Sequence, residues 1–356
     1  MRTNSFFGFM IVAAMLLSSC QQSQLRMHTI ILQDGTCIRE VCYSNVMTKE
    51  ERDSLIGDTT GWSQPVPDGL NIDTIGYSHT EVVNGDTVTT SFRREFDTVE
   101  EMCEQTPLQL NDTRLKSRAT LEKHFRWFYT EYTFIEIFDC VGDTFKLDAT
   151  KYADKDIVSF WFTGEPNLLK GLNGAEASQK ISEMEPFVSK WLNDNLFKVF
   201  FDYVVNHYDS IKNPPVSKER FCELHDSLAN HLLKDREDII GVEPAEGLKS
   251  FFHSDAYAMF FNEDTPCGKE LNNELLKRLD IFWFNVPYTL SMPGTVTDAG
   301  RGILVGDIIT YPLTGERLIP QDYTITATSR VTHIWAYIVT FLVVLLAVGS
   351  ILYRKK

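Results

Sequence analysis

Residues Ile334 to Tyr353 read IWAYIVTFLVVLLAVGSILY, a run with no charged residue. Twenty helical residues rise ~30 Å, the thickness of a bilayer's hydrocarbon core. The run has no polar face, which argues against a helix lying flat on a membrane and against a helix half-buried in a soluble core. Trp335 and Tyr337 stand at one end and Tyr353 at the other, where interfacial aromatics gather. Arg354, Lys355 and Lys356 follow, and the positive-inside tendency puts such a tail in the cytoplasm. The expectation is a transmembrane helix over 333–353 and a cytoplasmic basic tail over 354–356.

The other end carries a second membrane signal. Arg2 precedes an apolar run from Phe6 to Leu17, and Ser18-Ser19-Cys20 follows. A charged start, an apolar stretch of roughly 12 residues and small residues before a break are the parts of a secretory signal, and the stretch is too short to span a bilayer. Leu17-Ser18-Ser19-Cys20 resembles the lipobox of bacterial lipoproteins. That resemblance implies cleavage before Cys20 and acylation of Cys20, with residues 1–19 as signal peptide. Export of the N-terminus and a cytoplasmic tail agree on one topology, with the main domain outside the cytoplasm. A hydrophobic stop-transfer helix stays in the inner membrane, so the expected location is the inner membrane with the domain facing the periplasm. One acyl chain anchors weakly, and a chain plus a helix anchors stably. A tail of three residues leaves any signal to the cytoplasm to a membrane partner.

The formal net charge is −15, and removing Arg2, Arg354, Lys355 and Lys356 takes the exported part to about −19. That balance argues against nucleic acid as a partner and against flat docking on anionic headgroups. Solubility alone also accounts for it. Besides Cys20 there are six cysteines, Cys37, Cys42, Cys103, Cys140, Cys222 and Cys267. In an oxidising compartment they permit three disulfides, and buried free thiols are an equal alternative. Cys37 and Cys42 share one strand and stand ~16 Å apart, too far to bridge. Cys222 and Cys267 both fall in helical sequence and could pair.

Turn signals divide the chain. Gln33-Asp34-Gly35-Thr36 between the apolar runs 28–32 and 37–44 predicts a hairpin, and Asn84-Gly85-Asp86 between 75–83 and 87–96 predicts another. The stretch 48–74 reads as loop. Thr98 and Glu101 fit a capping box for a helix over 99–105. Residues 121–138 read as a strand pair or one long bent strand. From Ala175 to Tyr208 an apolar stripe predicts a long helix or two, bent at Pro186. Helices are also predicted over 217–233 and 266–284, with 248–261 ambiguous but helical. Strands return over 287–292, 303–311 and 322–331. The expected fold class is α+β: an antiparallel sheet of N- and C-terminal strands with a central helical section. Its parts are a β-rich region (20–170), the helical section (171–284) and membrane-proximal strands completing the sheet (285–332).

Catalytic signatures are sparse: no G-x-S-x-G elbow, H-E-x-x-H, P-loop or strand-borne G-x-G-x-x-G is present. Cys222 and His225 share a helix face, but Ala229 follows on that face, so no metal-ligand spacing develops. No catalytic residue, metal or cofactor is assigned. Aromatic residues are the more informative feature. They crowd one strand region from Phe125 through Trp127 and Tyr129 to Phe138, and a second at Phe160, Trp161 and Phe162. A strand buried on both faces explains them. An apolar groove containing Phe125, Trp127, Tyr129 and Trp161, able to hold an acyl chain or a peptide, is the alternative.

Ser291-Met292-Pro293-Gly294-Thr295, leading through strands to residues 322–329 and into the terminal helix, resembles the membrane-proximal part of mycobacterial LppM-type lipoproteins. The chain also resembles the lipoproteins of Bacteroidota-type bacteria. The long helical section departs from the LppM pattern, so no site residue carries over. The resulting expectation is a membrane-anchored, non-enzymatic interaction or envelope-assembly module with a periplasmic or membrane protein partner. An amphiphile-binding domain is the alternative, and an unrecognised hydrolase or transferase the third.

Overall fold

A computed structural model describes residues 24–46, 70–72, 76–110, 113–233 and 244–354. The fold is α+β and divides into two compact units. One, the β unit, comprises the described residues of Gln21–Asp139, Asn285–Thr314 and Asp322–Lys356; the other, the helical unit, comprises those of Cys140–Phe284 and Gly315–Gln321. The helical part therefore starts thirty residues ahead of the expected boundary near 170, because 142–163 forms short 3-10 turns and a helix.

In the β unit, β1 (Gln24–Ile31) and β2 (Cys37–Val46) form the first expected hairpin. Asp34 holds its turn by accepting hydrogen bonds from the backbone and hydroxyl of Thr36. The three residues of β3 (Leu70–Ile72) fall in the stretch read as loop; most of that stretch lies outside the described residues. β4 (Ser78–Asn84) and β5 (Thr87–Phe96) form the second hairpin. Helix α1 (Val99–Gln105) is capped by Thr98, whose hydroxyl accepts from the amide of Glu101. β6 (Leu108–Leu110) and β7 (Thr113–Leu115) join β3 in a small sheet. β8 (Ser117–Phe125) and β9 (Tyr129–Phe138) resolve the 121–138 alternatives in favour of a strand pair.

The returning chain adds β10 (Asn285–Ser291), β11 (Thr295–Asp298), β12 (Ile303–Val305), β13 (Ile308–Thr314) and β14 (Tyr323–Thr332). The expected strand over 303–311 is a hairpin turning at Gly306, which has a positive φ. The single antiparallel sheet is corrected to two large ones and a small one: β12-β13-β10-β1-β2-β5-β4, β11-β14-β9-β8 and β3-β6-β7. N- and C-terminal strands do meet, through β1 and β10, but in parallel. Each large sheet buries one side-chain parity, such as Thr130, Tyr132, Phe134, Glu136 and Phe138 on β9. Two such faces cover each other as a sandwich. The ring of Tyr288 on β10, for instance, meets Phe138 edge-on at 6.2 Å.

In the helical unit, α2 (Lys155–Thr163) carries Trp161, so the second aromatic cluster is a helix and not a strand. The helix α3 (Gly174–Asn206) runs for 33 residues with Pro186 inside it, and Asn173 with Glu176 closes a reciprocal capping box at its start. The helix expected over 217–233 breaks at Leu224 into α4 (Lys218–Glu223) and α5 (His225–Leu233). α6 (Pro244–Phe252) and α7 (Pro266–Leu279) complete the set. Trp191 is buried on α3 and donates its indole N–H to the carbonyl of Leu147 at 2.7 Å; Asn195, one turn on, accepts from the Leu147 amide at 2.9 Å. Phe197, Phe200, Phe201, Tyr208, Phe221, Tyr257 and Phe260 fill the core. The last element, α8 (Ile334–Arg354), belongs to the β unit and is long and apolar enough to cross a membrane.

Candidate membrane-interface site

The strand β14 ends at Thr332 and α8 begins at Ile334, leaving one residue, His333, between sheet and helix. Such a junction is rigid only if that residue is held on every side. The His333 amide donates to the carbonyl of Phe128 at 2.8 Å, and its own carbonyl accepts from the Ala336 amide at 3.0 Å. Nδ1 of its ring lies 3.2 Å from the carbonyl of Trp127, and Nε2 lies 2.9 Å from the hydroxyl of Thr130. The ring stacks on Phe125 (5.1 Å) and on Trp335 (5.7 Å).

The residues that hold it come from the turn between β8 and β9. Thr332 pairs with Tyr129 and Phe125 with Thr130, so this turn and the start of α8 lie at the same end of the β unit. Trp127 meets Trp335 edge-on at 5.2 Å, and Phe128 meets Tyr337 at 4.7 Å. The Trp127 indole N–H donates to the Thr340 hydroxyl at 2.9 Å. Thr340 is six residues beyond Ile334, ~9 Å further along the helix axis. The indole N–H and the hydroxyl thus satisfy one another. The guanidinium of Arg330 covers the ring of Tyr129 at 4.6 Å and pairs with Glu131 at 2.8 Å.

The four residues of the expected groove are divided between the two units. Phe125 (62% exposed) and Trp127 (48%) project at the turn, and Tyr129 is half-buried beneath Arg330. Trp161 belongs to the helical unit and packs edge-on against Phe187. Of the expected anchor residues, Ile334, Trp335, Tyr337, Tyr353 and Arg354 all lie on α8 with exposed side chains. Cys20, the signal, Lys355 and Lys356 lie outside the described residues. The role of His333 was not visible in sequence; its one signal was its place directly before the apolar run.

Two further features were missed. The helical unit holds a half-open cavity of about 320 Å³, lined by Leu196, Phe200, Phe260, Leu271 and Leu275 with Glu263 and Asn272 among its polar residues. The sandwich core holds an ion pair. Arg39 on β2 (1% exposed) donates to Glu136 on β9 at 3.0 Å, and Glu136 is fully buried. Ser117 donates to the same carboxylate at 3.0 Å and Tyr288 at 2.6 Å. Thr29 lies 2.7 Å from the Tyr288 oxygen and can donate to it in turn. Burial is the largest influence on Arg39 and opposes its charge, but Glu136, Tyr288 and Cys103 together outweigh it and the guanidinium pKa rises. Burial, then Glu136, pushes the Tyr288 hydroxyl far above its usual range.

Among the described residues none of the six cysteines is in a disulfide, Cys222 and Cys267 included, and no group of three His, Cys, Asp or Glu side chains could hold a metal. His225 packs its ring edge-on against Phe197 and Phe201.

Fold and junction together define a class: an α+β protein whose β-sandwich runs directly into a helix of membrane-crossing length. Comparison of the chain with family models, with curated proteins and with solved structures gives no match in any of the three.

Proposed function

We propose that the chain is a membrane-tethered interaction module of the bacterial cell envelope, anchored by α8 and by an acylated Cys20 in the inner membrane, with both units facing the periplasm. The observation that supports this reading best is the sandwich-to-helix junction at His333. A flexible linker lets a domain roam; a junction clamped by one residue's backbone, both ring nitrogens and two ring stacks fixes the domain against the bilayer. That is of use to a protein that must meet another membrane component at a set height. The test is photo-crosslinking in intact cells from positions spread over both units. A discrete adduct that survives high salt and depends on an intact α8 is the expected result. The absence of any discrete adduct across conditions would refute the reading.

A second reading rests on the helical unit's cavity, whose apolar lining and polar residues Glu263 and Asn272 suit the acyl portion of an amphiphile. Native mass spectrometry of chain purified from membranes separates the two: a solvent-extractable bound mass supports it, and a clean apo mass removes it.

A further inference from the structure

A second hairpin of the β unit ends beside the membrane junction. Gly294, in the turn after β10, has a positive φ and packs so closely on the backbone of Arg330 that an added Cβ would lie 2.3 Å from that residue's carbonyl oxygen. The C-terminal end of β10 therefore lies level with the last residues of β14. Ser291, at that end of β10, pairs with Ile308, and Ile308 pairs with Val305. The β12–β13 turn, Gly306-Asp307, thus points the same way as the β8–β9 turn, toward the start of α8.

Both turns are apolar where surface turns are ordinarily polar. Around β12–β13, Ile303 (66% exposed), Leu304, Val305 (71%) and Ile308 face outward. Around β8–β9, Phe125, Trp127 and Phe128 do. Single exposed apolar residues are normal; two clusters at one end of one domain are not. β12 is also the terminal strand of its sheet, and an apolar edge strand in water is a template for unwanted pairing. The headgroup zone of a bilayer removes that conflict. It accepts the apolar side chains, while its water and headgroups satisfy the edge amides. The only charges in these stretches are Arg126 and Asp307, both exposed, and an Arg side chain there reaches a lipid phosphate readily.

We propose that the end of the sandwich from which α8 leaves is itself a lipid-binding surface, with the β8–β9 and β12–β13 turns seated in the interfacial layer of the bilayer that α8 crosses. This rests on the reading of α8 as membrane-spanning and adds two further contacts. The sandwich then stands on the membrane at three points, and its tilt is fixed as well as its height.

The test is tryptophan quenching by brominated phosphatidylcholine in the full-length chain reconstituted into vesicles, with the bromines placed shallow or deep in the acyl chains. Trp335→Phe leaves Trp127 as the reporter of the β8–β9 turn, Trp127→Phe leaves Trp335 as the reporter of α8, and the chain with both replaced gives the signal of Trp62, Trp161, Trp191 and Trp283 to be subtracted from each. Val305→Trp in the doubly substituted background reports the β12–β13 turn, at a position exposed enough to accept the larger ring. The expected result is quenching of all three by shallow bromines, lost from the first when Trp127 is also replaced. Quenching of Trp335 alone would leave α8 in the membrane and overturn the proposal. Turns shielded from both bromolipid and aqueous iodide would assign them to a protein contact and overturn it equally. No quenching even of Trp335 would overturn the reading of α8 itself.

Discussion

Replacing Glu136 by Gln removes one charge from the sandwich core and leaves Arg39, almost fully buried, without its counter-charge. At the observed 3.0 Å separation, Coulomb's law with an effective dielectric of ~20 gives an attraction of roughly 5 kcal/mol. Breaking a buried pair by removing one partner ordinarily costs about 3–5 kcal/mol, and the two figures agree. Gln keeps one acceptor oxygen in place of two: set at the Oε1 position it still accepts from Arg39 and Ser117, while its amide donates to the Tyr288 oxygen and Tyr288 donates to Thr29 instead, so the loss is chiefly that of the charge. Arg39 has no escape, because a guanidinium does not give up its proton in a protein. The double substitution Arg39→Met with Glu136→Leu should behave oppositely. It removes both charges, fills the space with apolar atoms and leaves Tyr288 its partner Thr29, so it should fall within about 1 kcal/mol of the parent or exceed it. Hydrogen exchange read on peptides from β2, β9 and β10 is the suitable assay, because it isolates the sandwich from the helical unit. Since ~1.4 kcal/mol is a factor of ten, E136Q should lower protection roughly a hundred- to a few thousand-fold. Protection in E136Q within tenfold of the parent, or a double variant as labile as E136Q, would refute the reasoning.

Three shorter predictions follow from other parts of the fold. Burial pushes the Cys37 thiol up to about 12 and raises that of Cys103, whereas Cys140 and Cys222 are exposed; iodoacetamide at pH 8 should label the latter pair in the folded chain and spare the former, and mass spectrometry reads the outcome. Burial lowers the pKa of His28 below 6.5, with Glu40 opposing only in part, so the unfolded chain binds that proton more tightly; stability is complete above pH 6.5 and declines as pH falls through it. His28→Gln should flatten the unfolding midpoint between pH 5 and 7.5, and an unchanged slope would remove His28 as its source. Gly294→Ala puts a Cβ against the Arg330 carbonyl in a left-handed conformation, which should cost about 2 kcal/mol or more and show as lost exchange protection at β10 and β11.

How far the sequence disclosed this fold depends on how local each signal was. Asp34-Gly35 and Gly85-Asp86 specify turns within four residues, and both hairpins formed where they were read. The Thr98 cap and the apolar run of α8 are local in the same sense. The parallel pairing of β1 with β10 joins residues about 260 apart, and nothing near Met27 names Tyr288 as its partner. The division into two sheets is equally non-local, since period-2 burial shows that a face is covered but not by what. Phe160, Trp161 and Phe162 failed as strand evidence because a run of three rings fits either period, and the helix is decided by 155–163 as a whole. Arg39 and Glu136 did leave a signal that went unread. Arg39 shares parity with the buried Cys37 and Val41, and Glu136 with the buried Phe134 and Phe138, so each sits on the inward face of its strand, where a charge must find a partner.

The order of the chain adds a constraint on when this core can close. β9 ends at Phe138 and β10 begins at Asn285, with the helical unit's main segment between them. Arg39 and Glu136 are available early, but Tyr288, which donates to the carboxylate and packs against Phe138, arrives only after that segment is made. β14, which pairs along the whole of β9, comes later still, immediately before α8. The last strand of the sandwich and the membrane helix are thus nearly one segment, separated by His333. Seating β14 beside β9 brings His333 to Thr130 and places Trp335 against Trp127, so completing the four-stranded sheet and docking α8 on the β8–β9 turn are one structural event. A chain cut before β14 loses one of the two partners of β9 and the helix together, which ties integrity of the sandwich to attachment of its apolar helix.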